Sequence, residues 1–338
     1  MIIFLIFASL LAAVLPTLLL VWLIWLADRY EREPRRLLIA AFAWGALPAI
    51  LLSLLVELVV GIPFNGGGLR DALVQSAMIA PIIEELVKGL ALLGLIRFSR
   101  PEIDGVLDGV VYGALVGAGF AMTENFFYFV SAGGIADWAL TVFLRAIIFG
   151  LNHIFYTSIL GAAVGFALSQ RNKTTRRIII LLGWALAMMV HAYHNFAVTL
   201  TDVYPALFFT TLLMSWGGAL VMLLIVLASQ QHERNSIQAY LDSPEATPLT
   251  PEDRKRLMAI LPPIARFLPN FSWLPPARQR DNRLYQYVAE LSLRRQRLPA
   301  SPEAERLRLM QEIAGLQEKI GAIALARAKE NAGKEHSA

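Results

Sequence analysis

The chain is 338 residues long, 57% hydrophobic and 17% charged, where an ordinary soluble domain carries about 25% charged residues. It has no cysteine, which excludes a disulfide framework, a thiol nucleophile and a thiolate metal site. The formal net charge is +4, and all of the excess lies in the last third: residues 1–231 hold 13 basic and 13 acidic residues, and 232–338 hold 17 and 13.

In chain order, apolar blocks predict seven spans at about 2–27, 37–60, 72–96, 105–130, 139–169, 178–200 and 205–229. Each is long enough to cross a hydrocarbon core about 30 Å thick. The first block lacks the charged leading segment and small-residue cleavage site of a signal peptide and is too long for one, so it reads as a retained helix. The fifth is long and is expected to tilt or to extend beyond the bilayer. The loops after the first, third and fifth spans carry ten Lys/Arg, and those after the second, fourth and sixth carry only Arg70. That asymmetry places the amino terminus outside and the carboxyl terminus in the cytoplasm.

Glycines recur every four residues at Gly109, Gly113 and Gly117, and again at Gly161 and Gly165. Small residues at that interval let helices approach closely in lipid. From about Gln231 the composition changes to a Pro-rich linker followed by two helical patterns. Leu284, Val288 and Leu291 mark one face of the first; Leu309, Ile313, Leu316, Ile320 and Ile323 mark the second at heptad spacing. Ser301-Pro302-Glu303 reads as the cap and first turn of that last helix. The expected fold is all-α: a polytopic transmembrane bundle over 1–230, then a cytoplasmic linker and helical hairpin over 231–338, for self-association or a regulator.

The polar residues inside the spans are few. They are Glu84, Glu85 and Lys88; Asp108, Glu124 and Asn125; Arg145, Asn152 and His153; and His191, His194 and Asn195. Glu57 reads as interfacial, near the outer end of its span, and Arg145 and Asp108 as structural or interfacial. An ionisable side chain at bilayer depth costs at least about 2.5 kcal/mol and faces the bundle interior, so these groups should converge. With a rise of about 1.5 Å per residue, Glu84 lies roughly 18 Å from the outer end of its span, Glu124 about 9 Å, His153 about 21 Å and His191 about 14 Å. Glu84 and Lys88 share a helix face, as do His191 and Asn195, while Glu85 points about 100° away from Glu84 and His194 points elsewhere on its helix.

Adjacent carboxylates in low dielectric suit general-base work near neutral pH. The same residue types are acceptable zinc ligands, and buried Glu/His chains also mark proton pathways. A hydrolytic site, a metal site and a transporter or proton relay therefore all remain open from the residues alone.

Four motifs in order carry a resemblance. Glu84-Glu85-x-x-Lys88 looks like the EExxK motif of the PrsW family of intramembrane proteases. Asp108-Gly109-Val110-Val111-Tyr112 leading to Phe120-x-x-x-Glu124-Asn125, then Phe149-x-x-x-His153, then His191-x-x-x-Asn195, resemble the family's remaining blocks. The resemblance spans about 35–200 and extends to the wider superfamily of type II CAAX prenyl endopeptidases and bacterial CPBP proteins. It implies peptide-bond hydrolysis at a site of Glu84, Glu85, Glu124, His153, His191 and Asn195, supported by Lys88, Asn125 and Asp108. Glu84 would be the base, with no cofactor; in a zinc-dependent version Glu84, Glu124, His153 and His191 would be the ligands. A catalytically dead, substrate-binding member is the remaining alternative. The implied substrate is a membrane-anchored protein or peptide, such as an anti-sigma factor, and nucleic acid is not an expected partner. The implied location is a bacterial inner or plasma membrane.

Overall fold

The computed structural model describes residues 2–28, 33–98, 103, 105–246, 249–260, 276–299, 301 and 303–335. They form helices α1 (Ile2–Ala27), α2 (Arg35–Trp44), α3 (Ile50–Val60), α4 (Leu69–Val74), α5 (Ala80–Phe98), α6 (Val106–Val130), α7 (Ile135–Val142), α8 (Asn152–Leu168), α9 (Lys173–Thr199), α10 (Ala206–Asp242), α11 (Pro251–Ile260), α12 (Pro276–Arg297) and α13 (Glu303–Glu335). The chain divides into two compact units, one holding 1–28 and 33–226, the other 29–32 and 227–338.

Six helical stretches are long and apolar enough to cross a membrane. The expected span at 72–96 is not among them. It is split between α4 and α5 by a π-helical turn at Gln75–Ile79 and carries Glu84, Glu85 and Lys88 in its middle. The other six expected spans correspond to these six stretches. The long fifth one is not a single helix: α7 leads into a π-helical segment, Phe143–Ile148, and the chain leaves helical geometry at 149–151 before α8 begins.

Prolines explain two of these irregularities. Pro48 lies inside the π turn Gly45–Ala49 that joins α2 to α3, as expected of a residue that cannot donate to the ladder. The Ala46 carbonyl in that turn accepts the Thr123 hydroxyl at 2.6 Å. In the second π turn the Ala80 N–H bonds to the Gln75 carbonyl. Pro81, next in line for the Ser76 carbonyl, has no N–H, and the Asn195 side chain donates to that carbonyl instead at 2.8 Å.

Helix α6 is the axis of the first unit, with 17 of its 25 residues buried. Its glycines permit this. A Cβ on Gly109 would stand 2.0 Å from the Gly161 carbonyl oxygen, and one on Gly117 2.2 Å from the His153 carbonyl oxygen. Backbone therefore packs directly on backbone between α6 and α8. Below the polar residues described next, Leu92, Val111, Leu115, Val116, Leu160 and Val164 form the apolar core, and Ile50, Ile83, Val87 and Phe120 form a smaller layer.

Gly117→Ala should therefore lower the thermal unfolding midpoint. Overpacking of this kind costs about 1–3 kcal/mol, and the neighbour that must move is backbone. Gly94→Ala is the control, because a Cβ there meets nothing within 4 Å. Equal midpoints for the two variants would contradict the close contact.

In the second unit the start of the expected linker is helical. α10 runs to Asp242, and α11 begins at Pro251. The Asp253 N–H donates to the Thr250 hydroxyl oxygen at 3.1 Å, and the Asp253 carboxylate accepts from the Thr250 N–H and hydroxyl. This is a capping box with Pro at the first helical position, so Thr-Pro-Glu-Asp is a helix start rather than a linker. Burial raises the Asp253 pKa, but Thr250 and Arg327 outweigh it and hold the carboxyl below its ordinary range. Leu284, Val288, Leu291, Ile313, Leu316 and Ile320 are buried in one cluster, with Ile323 packed against it. Pro302 and the proline-rich stretch 261–275 lie outside the described residues.

Candidate active site

A cavity of about 660 Å³ opens among α3, α5, α6, the α7–α8 connection, α8 and α9. Its walls include Glu57, Ser131 and Thr199 near the helix ends at the 61–68, 131–134 and 200–205 loops, and Glu84, His153 and His191 deeper in.

Helix α5 supplies the carboxylates and is held in rotation by two indoles. The Trp184 ring N–H donates to the Glu85 carbonyl at 2.7 Å, and that of Trp44 to the Val87 carbonyl at 3.0 Å. Gly89 is required beside them, since a Cβ there would sit 2.5 Å from the Trp184 ring. The Lys88 ammonium, wholly buried, donates to Glu84 Oε2 at 3.0 Å and Glu85 Oε1 at 2.8 Å. It also lies 3.0 Å from His153 Nδ1 and 3.8 Å from the centre of the Phe120 ring.

The two carboxylates differ in surroundings. Glu85 is fully buried and committed: besides Lys88 it meets His191 Nδ1 at 3.1 Å and accepts the Thr157 hydroxyl at 3.1 Å. Glu84 lines the cavity, and its Oε2 lies 3.9 Å from His153 Nδ1 and 4.0 Å from His191 Nε2. Each imidazole is fixed through its other nitrogen. His153 Nε2 meets Glu124 Oε2 at 2.7 Å, and His191 Nδ1 meets Glu85. With those nitrogens donating to carboxylates, the lone pair of His153 Nδ1 accepts from the Lys88 ammonium at 3.0 Å and that of His191 Nε2 from the Asn195 amide at 3.4 Å, both on the side of the rings nearest Glu84.

Glu124 is in turn held by Arg145, whose Nη2 donates to its Oε2 at 2.7 Å while Nε donates to the Asn125 side-chain oxygen at 2.9 Å. The Arg145 guanidinium also lies 3.7 Å from the centre of the Tyr128 ring. The six residues expected to be catalytic thus come together, with Lys88 and Asn125. Asp108 does not join them; its carboxylate accepts the Gly105 N–H at 2.7 Å and caps α6.

Four residues extend the expected set. Arg145, expected to be interfacial or structural, binds Glu124. Glu57, also expected at the interface, lines the cavity. His194 faces the cavity too, bonded to Thr211 at 2.6 Å and Asn152 at 3.1 Å. Tyr156 stacks on the His191 ring at 4.7 Å, and its buried hydroxyl has no partner among the described residues. Its spacing three residues after His153 was the available signal, since i and i+3 share a helix face.

One ligand atom from each of Glu84, Glu85, His153 and His191 lies within 4.8 Å of the others. The set differs from the expected zinc ligands by holding Glu85 in place of Glu124. The finer geometry puts both Glu85 and Glu124 behind histidines, the arrangement in which a carboxylate orients a metal-binding imidazole. Glu84, His153 and His191 then remain as three residues of the right type for a catalytic zinc site with one open position, and an ion there would take over the lone pairs that the Lys88 ammonium and the Asn195 amide now hold.

Residues 33–229 match the PrsW-protease family, described as PrsW family intramembrane metalloprotease. Among curated proteins, the chain is 29% identical over 188 residues to Protease PrsW of Clostridioides difficile, covering 55% of this chain and 77% of that protein. It is 29% identical over 186 residues to Protease PrsW of Oceanobacillus iheyensis (55% and 80%), and 25% identical over 214 residues to that of Geobacillus kaustophilus (63% and 90%). No solved structure matches. An integral membrane bundle with a Glu/His cluster in its interior, matched to this profile over more than half its length, belongs to the PrsW family of intramembrane metalloproteases.

Proposed function

We propose that the protein is an endopeptidase that hydrolyses peptide bonds of membrane-anchored proteins with a water activated at Glu84. The observation that carries this reading is that Glu84 lines a cavity of about 660 Å³ and lies 3.9 and 4.0 Å from one nitrogen of each of two imidazoles, each imidazole fixed by its own carboxylate. Glu84 takes a proton from water as the oxygen attacks the scissile carbonyl, then delivers it to the leaving amine as the C–N bond breaks. Glu85 and Glu124 hold the imidazoles in one tautomer each. Arg145 and Lys88 offset the carboxylate charge. Asn195 donates one amide N–H to Ser76 at 2.8 Å and meets His191 Nε2 with the other at 3.4 Å; that longer bond is the one it would exchange for the developing oxyanion, where one such donor is worth about 3–4 kcal/mol.

A zinc-dependent form of this site is favoured by the donor set. Glu84, His153 and His191 would hold the ion, which when bound supplies a water acidic enough to be deprotonated near neutral pH. Removal of metal by chelation and dialysis should then abolish cleavage, and stoichiometric zinc should restore it. Full activity of verifiably metal-free protein would sink the zinc form and leave the Glu84 mechanism standing.

The finer assignments follow the same reading. The cavity lies towards the helix ends that the basic loops do not flank, so on the positive-inside rule it opens to the outside, with the carboxyl-terminal unit in the cytoplasm. Named relatives from bacteria support the bacterial plasma membrane as the location. The four-motif resemblance supports the wider CAAX and CPBP superfamily and an anti-sigma factor as one substrate. The unit over 227–338 is assigned to self-association or to a regulator.

The reading is tested by reconstituting the full chain in liposomes with a single-span reporter cut to a measurable fragment. Wild type should yield product and His191→Ala none. Equal product from both would favour cleavage by a contaminant and a relay or binding role for this protein.

A further inference from the structure

We infer that Ser53 and Glu57 on α3 form a substrate subsite that takes a cationic side chain, Lys or Arg, of the polypeptide being cleaved. The inference rests on the proteolytic reading for the identity of the ligand and on charge accounting in the cavity for its chemistry. Three carboxylates line the cavity: Glu57, Glu84 and Glu124. Lys88 is committed to Glu84 and Glu85, and Arg145 to Glu124 and Asn125. Glu57 is left without a counter-ion, and its Oε1 is buried with no hydrogen-bond partner among the described residues.

Ser53 is the second, independent observation. It lies one turn deeper on the same face of α3, lines the same cavity, is 1% exposed, and its hydroxyl also lacks a partner. A buried polar atom without a partner costs about 1–3 kcal/mol, and two on one cavity wall mark a place where a ligand group completes the hydrogen bonding. The group must donate, because a carboxylate only accepts. A Lys ammonium or Arg guanidinium offers several donors, and its aliphatic stem would lie along Ile50 and Leu54, which line the same wall. A neutral amide would satisfy fewer acceptors and leave the Glu57 charge unmatched.

The experiment has two arms, both on the full chain in lipid. In the first, single-span reporters with a randomised eight-residue segment beside the membrane are exposed to wild type, Glu57→Gln, Glu57→Lys and Ser53→Ala, and the cut sequences are read. Wild type should enrich Lys or Arg at one fixed position from the cleaved bond, about tenfold over Gln. Glu57→Gln should reduce that ratio to below about twofold, Glu57→Lys should reverse it towards Asp or Glu, and Ser53→Ala should weaken it. An unchanged ratio in Glu57→Gln, or no cationic preference in wild type, overturns the subsite.

The second arm does not require cleavage. N-acetyl-arginine methylamide should raise the unfolding midpoint of Glu84→Gln protein saturably, above the effect of the glutamine analogue, and should lose that excess in Glu84→Gln/Glu57→Gln. No excess, or an equal one in the double variant, overturns the subsite. If wild type cuts no reporter, the proteolytic reading fails and this arm still decides whether the cavity binds a cation at Glu57.

Discussion

Glu84→Gln should reduce reporter cleavage by about 10²–10⁴-fold, the usual contribution of a positioned general base, while leaving the unfolding midpoint nearly where it was. The reason lies in what the carboxylate touches. Its hydrogen-bond partner is Lys88 at 3.0 Å, and a glutamine carbonyl can accept the same bond at nearly the same volume. What the amide cannot do is take a proton from water. Glu85→Gln is the informative comparison. Glu85 meets Lys88, His191 and Thr157 and is wholly buried, so its amide form must either turn an N–H towards Lys88 and His191 or reverse the Thr157 hydroxyl, and in both cases it loses the charge that holds the other two. That variant should lose stability as well as activity, through a displaced His191. If Glu84→Gln unfolded as readily as Glu85→Gln, or kept full activity, the division of labour between the two acids would be wrong.

The sequence made that division partly legible. Ionisable groups are costly at bilayer depth, so Glu84, Glu124, His153 and His191 stood out against their apolar runs and had to meet. The i, i+4 rule found the Glu84–Lys88 pair, and the 100° step between neighbours separated the tasks of Glu84 and Glu85. Glycines four apart announced the α6–α8 contact, and heptad spacing marked the residues now buried between α12 and α13.

Depth was not legible. Counting residues from span ends scattered the four site residues between about 9 and 21 Å, yet Glu84, His153 and His191 bring ligand atoms within 4.8 Å of one another, and Glu124 lies 2.7 Å from His153. Counting assumes unbroken α-helices, and this bundle has π turns at Gly45–Ala49, Gln75–Ile79 and Phe143–Ile148 and a break at 149–151. Each changes rise and rotation for everything after it. Glu57 follows the first and Arg145 lies inside the third, and neither was expected to face the site: Glu57 lines the cavity and Arg145 binds Glu124. Pro48 and Pro81 were the visible signs for two of these turns; nothing comparable marks the third.

Lys88→Met should be the most destabilising single change in the site. The ammonium is wholly buried, holds two carboxylates at 3.0 and 2.8 Å, and sits over the Phe120 ring. Methionine fills the space but leaves Glu84 and Glu85 facing one another without a cation. Breaking a buried pair by removing one partner costs about 3–5 kcal/mol, because the remaining charge stays desolvated. Adding Glu85→Gln should return part of that loss, since it removes one of the stranded charges and keeps an oxygen for Thr157 or His191. Contacting residues couple by about 0.5–3 kcal/mol in such cycles, so the double variant should unfold at a higher temperature than Lys88→Met alone. A midpoint for Lys88→Met equal to wild type would mean that the acids are neutral in the folded protein. A double variant less stable than Lys88→Met would mean that Glu85 is held by Thr157 and His191 rather than by the lysine. Either result would move Lys88 from the support of the acid pair to a purely steric role beneath the cavity floor.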